Sequence, residues 1–164
     1  MKNILFTTGI LLLCLSVKAQ SFQVKDLSSS VGGWEGKLTY LDYSSGKPFT
    51  MLANIKIGLT ADTKGYVMLY DYPKEPQANA KDTTFINDNL FGKDKIIEFK
   101  KAADGGFTLV TEIVGEDGND NKMAILRHTY ILKHNTYSII KDVKFEGTKK
   151  WIKRNEYIFN RAGN

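Results

Sequence analysis

The sequence feature that most constrains the fold is a two-residue alternation of apolar and polar side chains, repeated along the chain between short turns. It is cleanest from Phe49 to Ile57, where every second residue is apolar. Successive side chains of a β-strand point to opposite faces, so this pattern indicates a strand with one buried face. Turns rich in glycine, aspartate and alanine or threonine, such as 62–65 and 103–106, separate the alternating segments. The pattern predicts a series of hairpins.

The predicted strands are joined by connections too short for the helical crossovers of a parallel sheet. They occupy residues 34–43, 49–57, 66–72, 82–87, 95–100, 107–114, 122–133, 137–145 and 150–159, after a short helical turn within residues 20–31. The predicted fold class is all-β: an antiparallel meander of about 8–10 strands, closed into a barrel or split into two packed sheets. We favour the barrel because the first and last strands are both long and aromatic. The segment 73–81, which contains two prolines, is expected to be a flap at the mouth.

Residues 1–19 have the pattern of a secretory signal peptide. A short basic start precedes a largely apolar run, and Val17 and Ala19 occupy the positions that a signal peptidase inspects. Cleavage after Ala19 would leave residues 20–164 as a single domain, secreted or periplasmic. The only cysteine, Cys14, lies in the removed part, so the mature domain is expected to have no disulfide.

The charge balance argues against a nucleic-acid partner. The net charge of +5 includes Lys2 and Lys18, so the mature domain carries only a modest positive excess. We expect a monomer. The last hairpin is basic, through Lys144, Lys149, Lys150, Lys153 and Arg154. Its lysines are expected to protect a solvated sheet edge, and weak contact with an anionic membrane surface is the alternative.

No catalytic motif is present, and no catalytic residue is assigned. There is no G-x-S-x-G sequence, and the acidic segment 115–121 lacks the ligand spacing of a calcium loop, so a solvated turn is expected there. His128 and His134 lie about 20 Å apart on one extended strand, too far to share a metal ion. We predict neither a metal nor a cofactor, although His128 could face a cavity and contact a ligand or a haem iron. Carboxylates that could serve a barrel enzyme come from Asp71, Glu98 and Glu112.

Aromatic side chains recur along successive strands, where they can either pack a barrel shut or surround a small ligand. Tyrosines in this number favour a partly polar interior, because buried hydroxyls need partners. The candidate residues lining a cavity are Tyr40, Tyr66, Tyr70, Phe107, His128 and Tyr130.

The segment Gly32-Gly33-Trp34 at the start of the first strand resembles the G-x-W signature of lipocalins. The chain is similar in this respect to divergent lipocalin-like, or calycin, barrels of secreted bacterial proteins. The resemblance implies that Trp34 closes one end of the barrel under a basic residue of the last strand. Arg154, with Arg161 as the other candidate, would supply that cation–π contact, worth about 0.5–2 kcal/mol. It also implies binding of a small hydrophobic molecule.

Three functions are therefore considered. The first is a secreted or periplasmic binding protein for a small hydrophobic or amphipathic ligand held in the barrel. The second is a non-catalytic envelope interaction module acting through its basic surface. The third is a barrel enzyme that uses cavity carboxylates or His128.

Overall fold

Hairpin follows hairpin around a closed ring of ten antiparallel strands, and the first strand pairs with the last. The computed structural model describes residues 22–163. The strands are β1 (Gly32–Asp42), β2 (Lys47–Leu59), β3 (Gly65–Asp71), β4 (Ala80–Asn87), β5 (Leu90–Phe91), β6 (Asp94–Lys101), β7 (Phe107–Asp117), β8 (Lys122–Lys133), β9 (Thr136–Phe145) and β10 (Ile152–Arg161). A 3₁₀-helix at Val24–Ser30 precedes β1, and another at Pro76–Ala78 lies between β3 and β4. The prediction of an all-β meander closed into a barrel, with a short N-terminal helical turn, is confirmed.

Two parts of the chain differ from the prediction. Residues 89–92 were expected to form a turn, but β5 lies within them as a strand of two residues. The segment 115–121 was expected to be a solvated turn, but β7 continues through it to Asp117. The predicted signal peptide at 1–19 lies outside the described residues. Neither helix within residues 22–163 is long and apolar enough to span a membrane.

The lower end of the barrel is closed around Trp34, which is almost fully buried. Its indole Nε1 donates a hydrogen bond of 2.8 Å to the carbonyl of Ser30, the last residue of the N-terminal 3₁₀-helix. The guanidinium of Arg161 lies 4.2 Å from the Trp34 ring centre and donates to the carbonyl of Ser29 at 2.7 Å. These contacts tie the helix, the first strand and the last strand together beneath the core.

The assignment of this stacking role to Arg154 is wrong, and Arg161 fills it. β10 runs from the upper end of the barrel to the lower end, so its last residue is the one paired with Trp34. Arg154 lies near the start of the strand, at the opposite end, where it stacks 4.2 Å from the ring centre of Tyr43.

The basic last hairpin is not a sheet edge, since β10 pairs with β9 on one side and with β1 on the other. Closure removes the edge that the lysines were expected to protect. Lys153 forms an ion pair with Glu156 at 2.9 Å, and Arg154 turns toward the interior rather than the solvent.

One side of the barrel wall has a notch, because β5 is so short. β5 pairs only with Ile86 and Asn87 of β4, and β6 reaches no higher along β7 than the pair Lys95–Glu112. Residues 80–84 of β4 and 113–117 of β7 therefore have no strand partner on their facing sides within the described part of the chain. The notch opens the upper half of the barrel laterally.

Gly36 of β1 faces the backbone of β10 without room for a side chain, which gives a direct test of closure. A Cβ at Gly36 would lie 2.0 Å from the Ile158 carbonyl oxygen, whereas one at Gly58 of β2 would meet nothing within 4 Å. We expect Gly36→Ala to lower the free energy of unfolding by about 1–3 kcal/mol or more. Gly58→Ala should change it by less than about 1 kcal/mol. Urea denaturation of the two variants makes the comparison, and equal midpoints would contradict this account of closure.

Candidate functional site

The two ends of the barrel differ in how fully their inward side chains are buried. At the lower end, the tier formed by register partners is 0–3% exposed, and it consists of Phe107, Leu132, Tyr137 and Phe159. In the upper half, many side chains on the same inward faces are only half-buried, although Thr111, Ala124 and Val143 are buried. The half-buried side chains include Tyr40, Met51, Tyr70, His128, Lys141, Asn155 and Tyr157. Because these positions face inward by register, the solvent that reaches them lies inside the barrel. Solvent therefore reaches the interior of the upper half, and we call this solvent-accessible part of the interior the hollow.

A hydrogen-bonded polar group lies on the wall of this hollow. The Nδ1 atom of His128 is 2.9 Å from Oδ2 of Asp94, and the Thr111 hydroxyl donates to the same oxygen at 3.2 Å. Thr111 is fully buried, whereas His128 and Asp94 keep part of their side chains accessible. With Nδ1 held by the carboxylate, Nε2 is the nitrogen of His128 left for a ligand. The carboxylate fixes the orientation of the ring.

Tyrosines line the middle of the hollow. The hydroxyls of Tyr72 and Tyr157 are 2.8 Å apart, and the rings of Tyr70 and Tyr157 have their centres 5.6 Å apart. Burial raises the pKa of Tyr70 well above its ordinary value, and it does the same for Tyr130, where the charge of Asp94 adds to the effect. These side chains are therefore neutral phenols near neutral pH, with hydroxyls that can donate to a ligand.

A buried ion cluster lies at the upper rim. Asp117, whose side chain is 6% exposed, pairs with Lys141 and lies 3.5 Å from Nε of Arg154. Burial alone would raise the pKa of Asp117, but the hydrogen bond and charge of Lys141 outweigh it and hold the pKa below its usual value. Burial, with the charge of Asp117, raises the pKa of Tyr43 to about 12. The cluster ties β7, β9 and β10 together at the rim.

The clefts outside this hollow include two near the upper rim. One, of about 340 Å³, is lined partly by the exposed side chains of Val114 and Met123. The other, of about 560 Å³, lies between the β7–β8 turn and residues 145–148. Neither is lined by His128 or by the tyrosines of the middle barrel. The interior, which combines an apolar wall with converging polar groups, is therefore the better candidate site.

The structure brings together four of the six residues predicted to line a cavity. Tyr40, Tyr70, His128 and Tyr130 face the upper half of the interior. Tyr66 and Phe107 lie in the packed lower end instead, where the Tyr66 hydroxyl is 2.9 Å from that of Ser30.

The carboxylates predicted for a barrel enzyme do not converge. Glu98 pairs with the exposed Lys100, and Glu112 pairs with Arg127 on the outer face. Asp71 is exposed and accepts hydrogen bonds from Asn54 and Asn79. The acidic side chains that do face the interior were missed by the sequence reasoning, and they are Asp82, Asp94 and Asp117.

The two histidines lie apart: His128 is in the middle of β8, and His134 follows the end of that strand. His134 is exposed in the β8–β9 turn, where its φ of 41° is left-handed. Within residues 22–163, no group of three or more histidine, cysteine or acidic side chains is arranged to hold a metal ion.

Comparison with known proteins supports the barrel fold and assigns no function to the residues of the candidate site. No protein-family model matches the chain, and no curated protein matches it. Among solved structures, the chain is similar to Rv2717c from M. tuberculosis, with a TM-score of 0.57 and 12% sequence identity. The similarity covers 85% of this chain and 97% of Rv2717c. At that identity it shows a shared barrel fold.

The buried ion cluster predicts a pH-dependent stability. Because the pKa of Asp117 is lowered, its stabilisation is present above the ordinary value of 3.8 and is lost as the pH falls through the lower folded-state value. We expect Asp117→Asn to lower the free energy of unfolding by about 3 kcal/mol near neutral pH. The difference from wild type should shrink as the pH falls below 3.8 and Asp117 becomes protonated.

Denaturant unfolding at several pH values measures this difference. Asp120→Asn is the matched control, because Asp120 is 71% exposed in the adjacent turn. A loss of stability in Asp117→Asn that stays constant from neutral to acid pH would contradict the account.

Proposed function

We propose that this protein binds a small amphipathic molecule in the upper half of the barrel. The observation that carries the proposal is that many inward side chains remain partly accessible to solvent at the upper end, whereas those at the lower end are fully packed. A barrel built only as a structural unit would fill both halves with side chains. A barrel sealed at one end and hollow at the other has the form of a small-molecule site.

The lining favours a ligand with an apolar body and a polar end. The wall above the packed floor is built from apolar and aromatic groups such as Leu38, Met51 and Tyr157. Toward the opening, His128, Asp94 and the tyrosine hydroxyls supply polar contacts. A ligand with its apolar tail toward the packed floor and its polar head near the notch would make favourable contacts with both regions.

The connection between β3 and β4 stands beside the opening and is the proposed flap. Asn79 anchors it, since its Oδ1 accepts from the backbone N–H of Tyr72 at 2.7 Å and its Nδ2 donates to Asp71 at 3.2 Å. A ligand would enter past this connection or through the notch below it.

Export and family membership form part of the same proposal. The apolar N-terminal segment supports a secreted or periplasmic protein. Trp34 under Arg161 supports a divergent lipocalin-like barrel, although lipocalin barrels have about eight strands and this one has ten. A small ligand and a monomeric protein are the expected partner and state.

A second candidate, an interaction module acting through its outer surface, is favoured by one local feature. Trp151 lies on the outside with Arg127 at 4.0 Å and Lys144 at 5.0 Å from its ring centre. The cleft containing the exposed Val114 lies beside Lys144. Such an aromatic and basic surface could bind a partner from the cell envelope. If this candidate is correct, Trp151→Ala should abolish recovery of that partner from envelope extracts.

Filling the hollow tests the binding proposal. The neutral fluorescent probe N-phenyl-1-naphthylamine should bind the wild-type protein with increased emission. Met51→Trp places a larger side chain on the inward face of β2 and should weaken binding about tenfold or more. Leu52→Trp, on the outward face of the same strand and 45% exposed in wild type, should bind as wild type does. Equal binding by both variants, or none by the wild type, would refute the proposal.

A further inference from the structure

We propose that the ligand carries a positive charge, held by Asp82 beside the tyrosines of the hollow. This inference rests on the proposed function and names the chemical class of the ligand: an organic cation, such as an alkylated amine, on an apolar body.

Asp82 faces the interior at the notch. It is the register partner of Met68, which is 3% exposed and packed in the core, so the two side chains share the inward face. Asp82 itself is exposed, because it lies on the part of β4 that has no strand partner on the β5 side. Its carboxylate is therefore accessible both from the hollow and from the notch.

The other charged groups inside the barrel already have polar partners. Asp94 is bonded to His128, and at the rim Lys141 and Arg154 share the single carboxylate of Asp117, so that cluster keeps one positive charge. Within residues 22–163, Asp82 has neither an ion pair nor a side-chain hydrogen bond. It is thus the inward carboxylate that a cationic ligand can neutralise without displacing an existing partner.

The aromatic wall near Asp82 suits the same ligand. Tyr70 is two residues from Met68, the register partner of Asp82, on the inward face of β3, and its hydroxyl donates to the sulfur of Met68 at 3.5 Å. Burial is the main cause that raises the pKa of Tyr70, and the negative charge of Asp82 adds to it. Tyrosine faces attract cations. An anionic ligand at this wall would meet the negative charge of Asp82 and neutral phenols, so it would bind there less well than a cation.

Three probes with one alkyl chain separate charge from apolar contact. Decyltrimethylammonium, decanoate and decan-1-ol are each used to displace N-phenyl-1-naphthylamine from the full-length protein, at concentrations below micelle formation. We expect the cation to bind about tenfold tighter than the alcohol, with the anion weakest. In Asp82→Asn this preference for the cation should fall at least about fivefold, with binding of decan-1-ol unchanged.

Glu35→Gln is the matched control, because it removes one negative charge from the exposed outer face of β1, and it should retain the preference for the cation. Thermal unfolding of each variant establishes that it is folded. Equal affinity for cation and anion, or an unchanged preference in Asp82→Asn, overturns this inference and leaves the binding proposal standing. Failure of all three probes to displace the dye would overturn the binding proposal as well.

Discussion

The rest of the structure depends on the pairing of β1 with β10 above a buried tryptophan. Closure gives every strand two neighbours, and Trp34 fills the lower end where β1 meets β10. Arg161 then covers the indole from below and binds the N-terminal helix. With this end sealed, the lower core packs from one side of the barrel to the other, and the inward side chains that solvent reaches lie at the upper end.

The short β5 explains how the hollow communicates with solvent. A strand of two residues cannot cover the upper parts of β4 and β7, so their facing sides stay unpaired and the wall is low there. The polar groups of the interior lie at or above this level: Asp82 on β4, Asp94 at the start of β6, and His128 on β8. The lower level holds mostly apolar side chains. Toward the upper end of the barrel axis, the interior thus becomes both more accessible to solvent and more polar.

The strong alternation of apolar and polar residues made much of the strand order predictable. The candidate site is built from single polar residues, which leave no comparable pattern in the sequence. In β2 the inward side chains are uniformly apolar, so strand and face follow from the sequence. In β4 the side chains of Asp82 and Thr84 face inward, whereas the exposed Phe85 faces outward. The rule that apolar side chains face the core would therefore assign the wrong face of this strand to the interior. Asp117 lies in a glycine-rich acidic segment typical of a turn, and its partners, Lys141 and Arg154, come from strands far along the chain. Arg154 and Arg161 could be told apart only by the register of β10.

The central claim is that the barrel is packed around Trp34 and hollow above it. A crystal structure determined under xenon pressure tests this most directly, because xenon occupies apolar cavities and leaves packed cores empty. The account predicts xenon or ordered ligand density bounded by Met51, Tyr130 and Tyr157, with none beside Trp34. Side chains that fill the upper half and leave no density there would contradict it.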